Sequence, residues 1–579
     1  MKPIIPFGLL VIFLCGCTHD NDLFSPDPLF PTQAIFRAPL FIEVFTTEGL
    51  RVSNAKVVLG STKGNTDANG FLFWPEATVS ESAYLTVEKE GYFHASRRFY
   101  PSPGAASYIR IILLSDSRIA FFNSTDGAVL PIEDKATIRF PQHGYELENG
   151  DVYEGIVVVS AKVIAADDPD LSIKMPGDLV GLNADNTLGA LGSMGMMAVA
   201  MKTPDGDKLN FANGIEATFE MNIPSALADL APLSIPLWYF DEIDGVWREE
   251  GIATKTGDRY VGQVKHFSFW NYDAWFPAIK WGASFDFGSN RGAASQVEVC
   301  ITIISMNTTK CALTNEEGIV CGLVAANELL LMEVKGECGE SIYTEEIGPF
   351  SDATMLGPIS ITTPGKLVTS VAGNTVSCDG VPVTDGFAKV TIGGKSQYAI
   401  LNEIAGDFQT TFLTCVEDSI HIIVADARLN KVSVPMTFDY VPDLHADTIS
   451  VCAINNEFVE LEVVGFPDHY YFFSPNVEIG DGVWIYQIDN GHELDHFGVA
   501  FDQKTTGEIL ASGVYVLVTL PDGRRVHSAA GYLTVTITHF GDVGDYITGN
   551  VSGFWFIGKP THPIAKYPLL GSFSVLREE

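Results

Sequence analysis

One short motif in the chain carries residue types that could do chemistry. Residues 492–496 read His-Glu-Leu-Asp-His and match the HExxH pattern, in which two histidines bind Zn²⁺ and the glutamate activates water. The residues that would act are His492, Glu493 and His496. This chemistry requires a helix, because a spacing of four places both imidazoles on one face only in a helix. A zinc hydrolase is therefore one candidate function.

The residues around the motif argue against a helix. Gly491 precedes it and Gly498 follows it, and alternating apolar strands are predicted at 483–488 and 497–501. No convincing third ligand follows on a helix, since Glu508 lies in another turn-like stretch. We therefore predict a polar loop between two strands, no metal site and no catalytic residues, and keep the zinc hydrolase as the alternative.

A second segment resembles a calcium-binding loop by its spacing alone. Residues 65–70 read Asn-Thr-Asp-Ala-Asn-Gly, with side-chain oxygens at four of the six positions, and Glu76 stands at the twelfth position. Pro75 argues against the helix that should leave such a loop, and a turn between strands explains the same residues. No nucleotide-binding or serine-hydrolase motif is visible either, so no cofactor is predicted.

The composition limits the class of protein. A chain of 579 residues exceeds one core, so several domains of roughly 100–150 residues are expected. Hydrophobic residues make up 46% and charged residues 18%, which excludes a mostly disordered chain. The 72 acidic against 35 basic side chains give a net charge of −37, and this charge repels phosphates. Nucleic acid is therefore excluded as a partner.

The amino terminus has the pattern of an export signal. Lys2 precedes an apolar run at 4–14, which is too short to cross a bilayer as a helix. The run ends in Leu14-Cys15-Gly16-Cys17, which resembles the lipobox of bacterial lipoproteins. The resemblance implies that residues 1–16 are removed and that Cys17 carries acyl chains, which anchor the protein to a membrane.

Residues 17–35 form an acidic, proline-containing tether. Acidic residues after the lipid cysteine resemble the surface-export signals of Bacteroidetes lipoproteins, which implies an outer-membrane protein displayed outward. The longest later apolar stretch, 188–201, contains three glycines and is predicted to be a buried strand rather than a membrane span.

The remaining seven cysteines all lie between residues 300 and 452. An exported chain permits disulfides, and an odd number leaves at least one thiol unpaired within the chain. The spacing leaves the pairing open and contains no CxxC pair of the kind that binds zinc. These cysteines are Cys300, Cys311, Cys321, Cys338, Cys378, Cys415 and Cys452.

A unit recurs along the chain. Polar turns end on Gly70, Gly318 and Gly406, and an alternating strand follows each glycine some thirteen or fourteen residues later. The glycine supplies the positive φ that a tight hairpin turn requires. Three related β-sandwiches are therefore predicted. Their ranges are 36–116, 281–366 and 367–456.

The first unit resembles the carboxypeptidase regulatory-like domain, a transthyretin-like sandwich. The stretches that carry the resemblance are 49–59, 66–71 and 87–92. The resemblance implies an accessory domain without an active site. The other two units look like divergent copies of it.

The central segment, 117–276, has an aromatic signature. Residues 235–251 contain two aromatic strands around an Asp-Gly turn, and residues 260–271 end in His-Phe-Ser-Phe-Trp-Asn. The signature is similar to part of cartilage intermediate layer protein and of Bacteroidetes surface lipoproteins. Its tryptophans are predicted to be core anchors, with an exposed carbohydrate platform as the alternative, and His266 is interpreted as a packing residue.

The last segment, 457–579, is again predicted to be β-rich, so the whole fold is all-β with tandem sandwiches. We expect a non-enzymatic surface protein, with rigid sandwiches projecting from a lipid tether like beads. It would act in adhesion, in glycan or protein binding, or as a scaffold. The alternatives are the zinc hydrolase, a glycan-binding component of an uptake system and a passive structural role.

Overall fold

The computed structural model describes residues 34–67, 69–288, 291–336, 339–361, 367–414, 416–429 and 431–454, and beyond residue 454 it describes the strands of one last sheet. The regular elements of the described part are all strands, apart from a helix α1 (Leu171–Lys174) and a 3-10 turn (Ser225–Leu227). The prediction of an all-β fold with tandem sandwiches is confirmed. Residues 1–33 lie outside the described residues, and so does Cys17. In the part that is described, no helix is long and apolar enough to cross a membrane.

The first sandwich consists of seven strands. They are β1 (Ile35–Thr46), β2 (Lys56–Leu59), β3 (Thr62–Asn65), β4 (Phe71–Ser80), β5 (Ala83–Glu88), β6 (Ala95–Phe99) and β7 (Ser107–Leu113). β1 lies between β4, which is antiparallel to it, and β7, which is parallel. The opposing sheet has the order β3-β2-β5-β6. Inward-facing residues of both sheets, such as Ile42 and Leu85, form one core because strand side chains alternate between two faces.

The central domain contains a long, mostly antiparallel sheet and a small separate sheet of order β12-β11-β16. Its strands are β8 (Ala120–Asn123), β9 (Ala128–Ile132), β10 (Ala136–Phe140), β11 (Tyr145–Leu147), β12 (Val152–Tyr153), β13 (Ile156–Ile164), β14 (Val180–Leu182), β15 (Leu188–Lys202), β16 (Leu209–Phe211), β17 (Ala217–Asn222), β18 (Ser234–Asp241), β19 (Val246–Thr256), β20 (Arg259–Val264) and β21 (Phe269–Asp286). The main order is β8-β13-β15-β21-β18-β19-β20-β17-β10-β9. β15 is buried along almost its whole length, which confirms the predicted buried strand.

The second and third sandwiches follow. The second has β22 (Glu298–Ile303), β23 (Thr308–Leu313), β24 (Ile319–Ala325), β25 (Leu330–Lys335), β26 (Ser341–Ile347) and β27 (Thr354–Ser360). The third has β28 (Leu367–Ser377), β29 (Gly386–Ile392), β30 (Lys395–Ile400), β31 (Asp407–Thr414), β32 (Ile420–Asp426), β33 (Lys431–Ser433), β34 (Met436–Phe438), β35 (Asp443–His445) and β36 (Ile449–Ile454).

All three sandwiches share one topology. Strands β21, β24 and β27 pair as β1, β4 and β7 do, and so do β28, β31 and β35. The opposing sheets β23-β22-β25-β26 and β30-β29-β32-β34 repeat the order of β3-β2-β5-β6. The repeat seen in the sequence is therefore a repeat of strand order and pairing.

The glycine turns differ from the prediction in one respect. Gly70, Gly318 and Gly406 do have positive φ angles of 64°, 73° and 67°. The turns are not hairpins, however, because the strands on either side belong to opposite sheets, as β3 and β4 do. Each glycine carbonyl instead accepts a hydrogen bond from the first strand of its unit, as Gly70 does from the N–H of Val44 at 2.8 Å. The prediction of hairpin turns is therefore wrong, although the glycine requirement is correct.

Strand β21 joins the central domain to the second sandwich. Its first half pairs with β15 and β18, and its second half pairs with β24 and β27. Residues 277–280, which the sequence interpretation placed between two domains, lie inside this strand. Trp270 of the first half and Trp281 of the second half belong to the same hydrophobic core.

The sandwiches pack against one another rather than forming separate beads. Tyr398 of the third sandwich is 4% exposed, and its hydroxyl donates to Glu43 Oε1 of the first sandwich at 2.8 Å. Its carbonyl accepts from Tyr108 Oη at 3.1 Å and from Gln296 Nε2, beside the second sandwich, at 2.9 Å. Phe41 stacks on the same tyrosine ring at 5.3 Å. The bead hypothesis is wrong for these three units, because buried contacts fix them together.

The C-terminal sheet contains the last eleven strands. They are β37 (Phe458–Val463), β38 (His469–Phe473), β39 (Asn476–Ile479), β40 (Val483–Ile488), β41 (His496–Phe501), β42 (Gly507–Leu510), β43 (Gly513–Thr519), β44 (Arg525–His527), β45 (Leu533–Phe540), β46 (Tyr546–Lys559) and β47 (His562–Leu576). The predicted β-rich character of this segment is confirmed. β46 and β47 form its longest hairpin, with Gly549 opposite Phe573.

Candidate functional site

The residues of the HExxH pattern are only partly placed. His492 and Glu493 lie outside the described residues. His496 is the first residue of β41, where it pairs with Ile488 and Leu517 of the neighbouring strands. A strand turns successive side chains to opposite faces, so His496 does not have the helical backbone that the motif needs. The absence of a zinc site stays a prediction.

The cysteines do not supply a metal site in the described part of the chain. Glu298, Cys300 and Cys311 place their ligand atoms within 4.8 Å of one another, and no other such group occurs among the described residues. Cys300 and Cys311 form a disulfide between paired residues of β22 and β23, so neither sulfur is available as a thiolate. Cys378 and Cys452 form a second disulfide. Cys338 and Cys415 lie outside the described residues.

The tryptophans of the aromatic signature are core anchors, as predicted. Trp238, Trp247 and Trp270 are at most 1% exposed. The indole N–H of Trp238 donates to Asp273 O at 3.0 Å, and that of Trp270 donates to His266 O at 2.9 Å. These rings therefore cannot form an exposed carbohydrate platform.

The Asp-Gly turn of the signature docks on the first sandwich. The turn joins β18 to β19, and Gly245 has a φ of 65°, as a tight hairpin requires. Arg98 of β6 donates to the carbonyls of Asp244 at 2.7 Å and of Gly245 at 3.2 Å. The ring of Tyr84 lies so close that a Cβ on Gly245 would be 2.5 Å from it. Glycine is therefore needed here for the approach of the two units.

This docking leaves a cleft between the first sandwich and the central domain. The interdomain cleft has a volume of about 570 Å³. Residues 92–94 and Asp116 of the first unit line it, together with residues 199–202, 208–210, 239–243 and 266–269 of the central domain. Its aromatic residues include Tyr92, Phe93, Tyr239, Phe240, His266, Phe267 and Phe269. Volume, aromatic walls and a few charged groups are typical of ligand sites in proteins.

Charged side chains at the cleft are partly paired. Lys202 forms an ion pair with Asp116. His94 lies 3.7 Å through Nδ1 from Glu242 Oε2 and 3.9 Å through Nε2 from Glu88 Oε1. Lys202, Asp116, His94 and Glu242 thus supply polar groups to the lining of the cleft, where they can select an orientation for a bound molecule.

His266 packs in the cleft wall, as interpreted from the sequence. Its ring meets Tyr239 edge-on at 4.8 Å and lies 5.1 Å from the ring of Trp270. Burial lowers the pKa of the imidazole, although Glu250 Oε2 at 3.6 Å acts in the opposite direction. The ring is therefore neutral at pH 7. The neighbouring Ser268 hydroxyl donates to the carbonyl of Phe269 at 3.1 Å, so the pair shows no nucleophile-and-base arrangement.

Only the part of the cleft that the central domain forms could be identified from the sequence. The signature named Tyr239, His266 and Phe267, but not His94 or Asp116, which come from a segment far away in the chain. No local pattern marks the latter two, because only the docking of two units brings them to the cleft.

Comparison with known proteins finds solved structures of low similarity only. No protein-family model matches the sequence, and no curated protein matches it. The shaft pilin SpaA from Lactobacillus rhamnosus GG is 7% identical, with 30% of this chain and 97% of that chain covered and a TM-score of 0.17. BcpA, the major pilin subunit of Bacillus cereus, is 9% identical, with 72% and 99% covered and a TM-score of 0.12. A streptococcal ancillary pilin is 10% identical, with 52% and 96% covered and a TM-score of 0.14. At such low identities and TM-scores these similarities carry no functional information.

Proposed function

We propose that the protein is a non-enzymatic, lipid-anchored surface protein of the Bacteroidetes type that binds an extracellular ligand in the interdomain cleft. The observation that carries this proposal is the cleft itself, with its volume of about 570 Å³ and its mixed aromatic and charged walls. The lipobox-like segment ending at Cys17 supports anchoring in the outer membrane, with the cleft facing outward.

The walls of the cleft favour a glycan as the ligand. Sugar rings present apolar faces that stack on aromatic side chains, and hydroxyl groups that bond to charged and amide groups. Tyr239 and Phe267 offer the first kind of contact, while Asn210 and Lys208 offer the second. Arg98 of the first sandwich also bonds to the hairpin turn of the central domain, and this link between the two units that form the cleft lowers the ordering cost of binding.

A binding assay on a glycan array tests the cleft. We expect Tyr239→Ala to weaken binding of any glycan that the wild type retains by roughly tenfold or more, since one stacked aromatic ring is removed. The matched control is Tyr343→Ala, which removes a tyrosine from the edge strand β26 of the second sandwich. Equal loss in both variants, or no retained glycan, would contradict a glycan-binding cleft.

Fractionation of cells tests the anchor separately. We expect Cys17→Ser to release the protein from the membrane fraction, because the acyl chains no longer attach. Cys15→Ser is the control, since this cysteine lies in the part that is removed. Protease added to intact cells should cut the wild-type protein, and an uncut protein would show that it does not face outward.

Metal analysis addresses the remaining enzymatic alternative. We expect the purified protein to contain no stoichiometric zinc. Zinc at one ion per chain that is lost in His492→Ala would overturn the non-enzymatic proposal and favour the zinc hydrolase.

A further inference from the structure

A second cavity, the junction cavity, lies where three units meet. Its volume is about 160 Å³. Its lining from the first sandwich is residues 97–99 of β6, Tyr100 and residues 107–110 of β7. The central domain contributes residues 172, 173, 175 and 178 in and after α1, and the second sandwich contributes Glu298, residues 310–313, Asn315 and residues 319–321. It is separate from the interdomain cleft, with which it shares no lining residue.

The acidic group in the junction cavity is already satisfied. Asp178 is 4% exposed, and its Oδ2 accepts from Lys310 Nζ at 2.7 Å and from Tyr100 Oη at 3.3 Å. Its Oδ1 accepts from the N–H of Leu179 at 2.8 Å. This carboxylate therefore has hydrogen-bond donors on both oxygens without Arg97.

The other charged groups that line the cavity also have partners. Arg98 donates to carbonyls of the hairpin turn, and Arg110 Nε donates to Glu43 Oε2 at 3.1 Å. Glu298, at the edge of the cavity, lies 3.9 Å from Lys335 Nζ through Oε2. The cavity thus contains four cationic groups and two carboxylates, in a protein whose overall charge is strongly negative.

One donor in the cavity is left without an acceptor. Arg97 Nη2 is inaccessible to solvent and has no hydrogen-bond partner among the described residues. Burial lowers the pKa of its guanidinium to about 10, while Asp178 acts in the opposite direction. The group is still cationic at neutral pH. A buried charged donor without an acceptor is strongly unfavourable, so its environment calls for an anion.

We infer that the junction cavity binds one small oxyanion, a carboxylate or a tetrahedral anion such as phosphate, through Arg97 Nη2. A guanidinium is planar and matches the paired oxygens of such anions, and the excess of cationic groups favours negative charge. The cavity exceeds the volume of a single water molecule, which takes about 30 Å³ in the liquid. The bound anion would contact the first sandwich and the second sandwich at once and so act as a structural ligand.

Equilibrium dialysis with labelled inorganic phosphate, and separately with labelled acetate, tests this inference on the full chain. We expect saturable binding of one anion per chain by the wild type, and the arm that binds more tightly identifies the anion class. Thermal unfolding should shift upward with that anion but not with sodium chloride of equal ionic strength, because a ligand of the native state stabilises it.

Variants of the orphan arginine make the test specific. Arg97→Met should lower the affinity by roughly tenfold or more, since a charge-assisted hydrogen bond is lost. Arg97→Lys keeps the charge and loses the planar group, so it should also weaken binding. This variant serves as the test in case Arg97→Met does not fold. Arg37→Met, on a surface arginine that is 69% exposed, should bind as the wild type does. Absence of saturable binding by the wild type, or unchanged affinity in both Arg97 variants, would overturn the inference and leave water as the occupant.

Discussion

At the scale of residues, the same turn chemistry is built in the first and in the second sandwich. The carboxylate of Asp67 accepts from the N–H groups of Asn69 and Phe71, both at 2.9 Å. Asn315 makes the equivalent bonds with its amide oxygen in the second sandwich. A side chain that accepts from the backbone two and four residues later stabilises a turn, so either Asp or Asn serves. The glycine that ends each turn, in contrast, cannot be replaced by another residue without strain.

Replacement of Gly70 tests this residue-scale requirement. Gly70→Ala should destabilise the protein more than the strain of a positive φ alone, which costs about 1–2 kcal/mol. The added Cβ would stand 2.6 Å from the carbonyl oxygen of Val44, too close for any real contact. Gly60→Ala is the matched control, because Gly60 also has a positive φ, of 57°, but no atom within 4 Å of its Cβ position. Equal losses in the free energy of unfolding, measured by denaturant titration, would contradict this account.

At the scale of elements, the hairpin of β18 and β19 has two tasks. It contributes Trp238 and Trp247 to a core that also contains Phe93 of the first sandwich. Its turn then receives Arg98 from β6, while residues 239–243 of the same hairpin line the interdomain cleft. The hairpin is therefore the element that couples core packing to the shape of the candidate binding site.

Removal of the Arg98 guanidinium tests this coupling. Arg98→Met should lower the free energy of unfolding by about 1–3 kcal/mol, because the buried carbonyls of Asp244 and Gly245 lose their donor. Limited proteolysis should then cut the turn more readily. Arg37→Met, whose arginine pairs with Glu76 at the surface, should change neither measurement. An unaltered cleavage pattern in Arg98→Met would mean that the arginine does not hold the turn.

At the scale of the whole molecule, the three sandwiches meet around the buried, hydrogen-bonded pair of Tyr398 and Glu43. Glu43 is 9% exposed and receives hydrogen bonds from Tyr398 and Arg110. Burial alone would raise the pKa of this carboxyl group, but Arg110, Arg51 and the Tyr398 hydroxyl outweigh burial and hold it below its ordinary value of 4.5. Ionised Glu43 therefore contributes stability above pH 4.5, and this contribution is lost as the pH falls through the lowered pKa.

Tyr398→Phe tests the junction and its pH dependence. The variant should be less stable by about 1–2 kcal/mol at neutral pH, because a buried carboxylate loses one donor. The deficit should shrink below pH 4.5, where Glu43 becomes protonated in the unfolded chain and then in the folded one. Tyr343→Phe, which removes an exposed hydroxyl bonded to Glu345, is the control and should show little change. A deficit that is the same at every pH would contradict the role of the Glu43 charge.

The sequence alone determined the local features of this protein. Alternation predicted strands such as β25 and β45, and the Asp-Gly pair predicted the hairpin at Gly245. The positive φ at Gly70 was predictable for the same reason, since φ and alternation depend on neighbouring residues only. Even there the prediction of a hairpin was wrong, because the strands β3 and β4 on either side of the turn belong to different sheets.

Only the tertiary structure decided which distant residues and strands come into contact. β21 serves two units at once, Tyr398 meets Glu43 from 355 residues away, and Asp116 lines the same cleft as Tyr239. No short pattern encodes these contacts, because they depend on the shape and charge of whole faces that form only when distant strands pair. The cleft and the junction cavity therefore belong to the assembled units and not to any one segment of the chain.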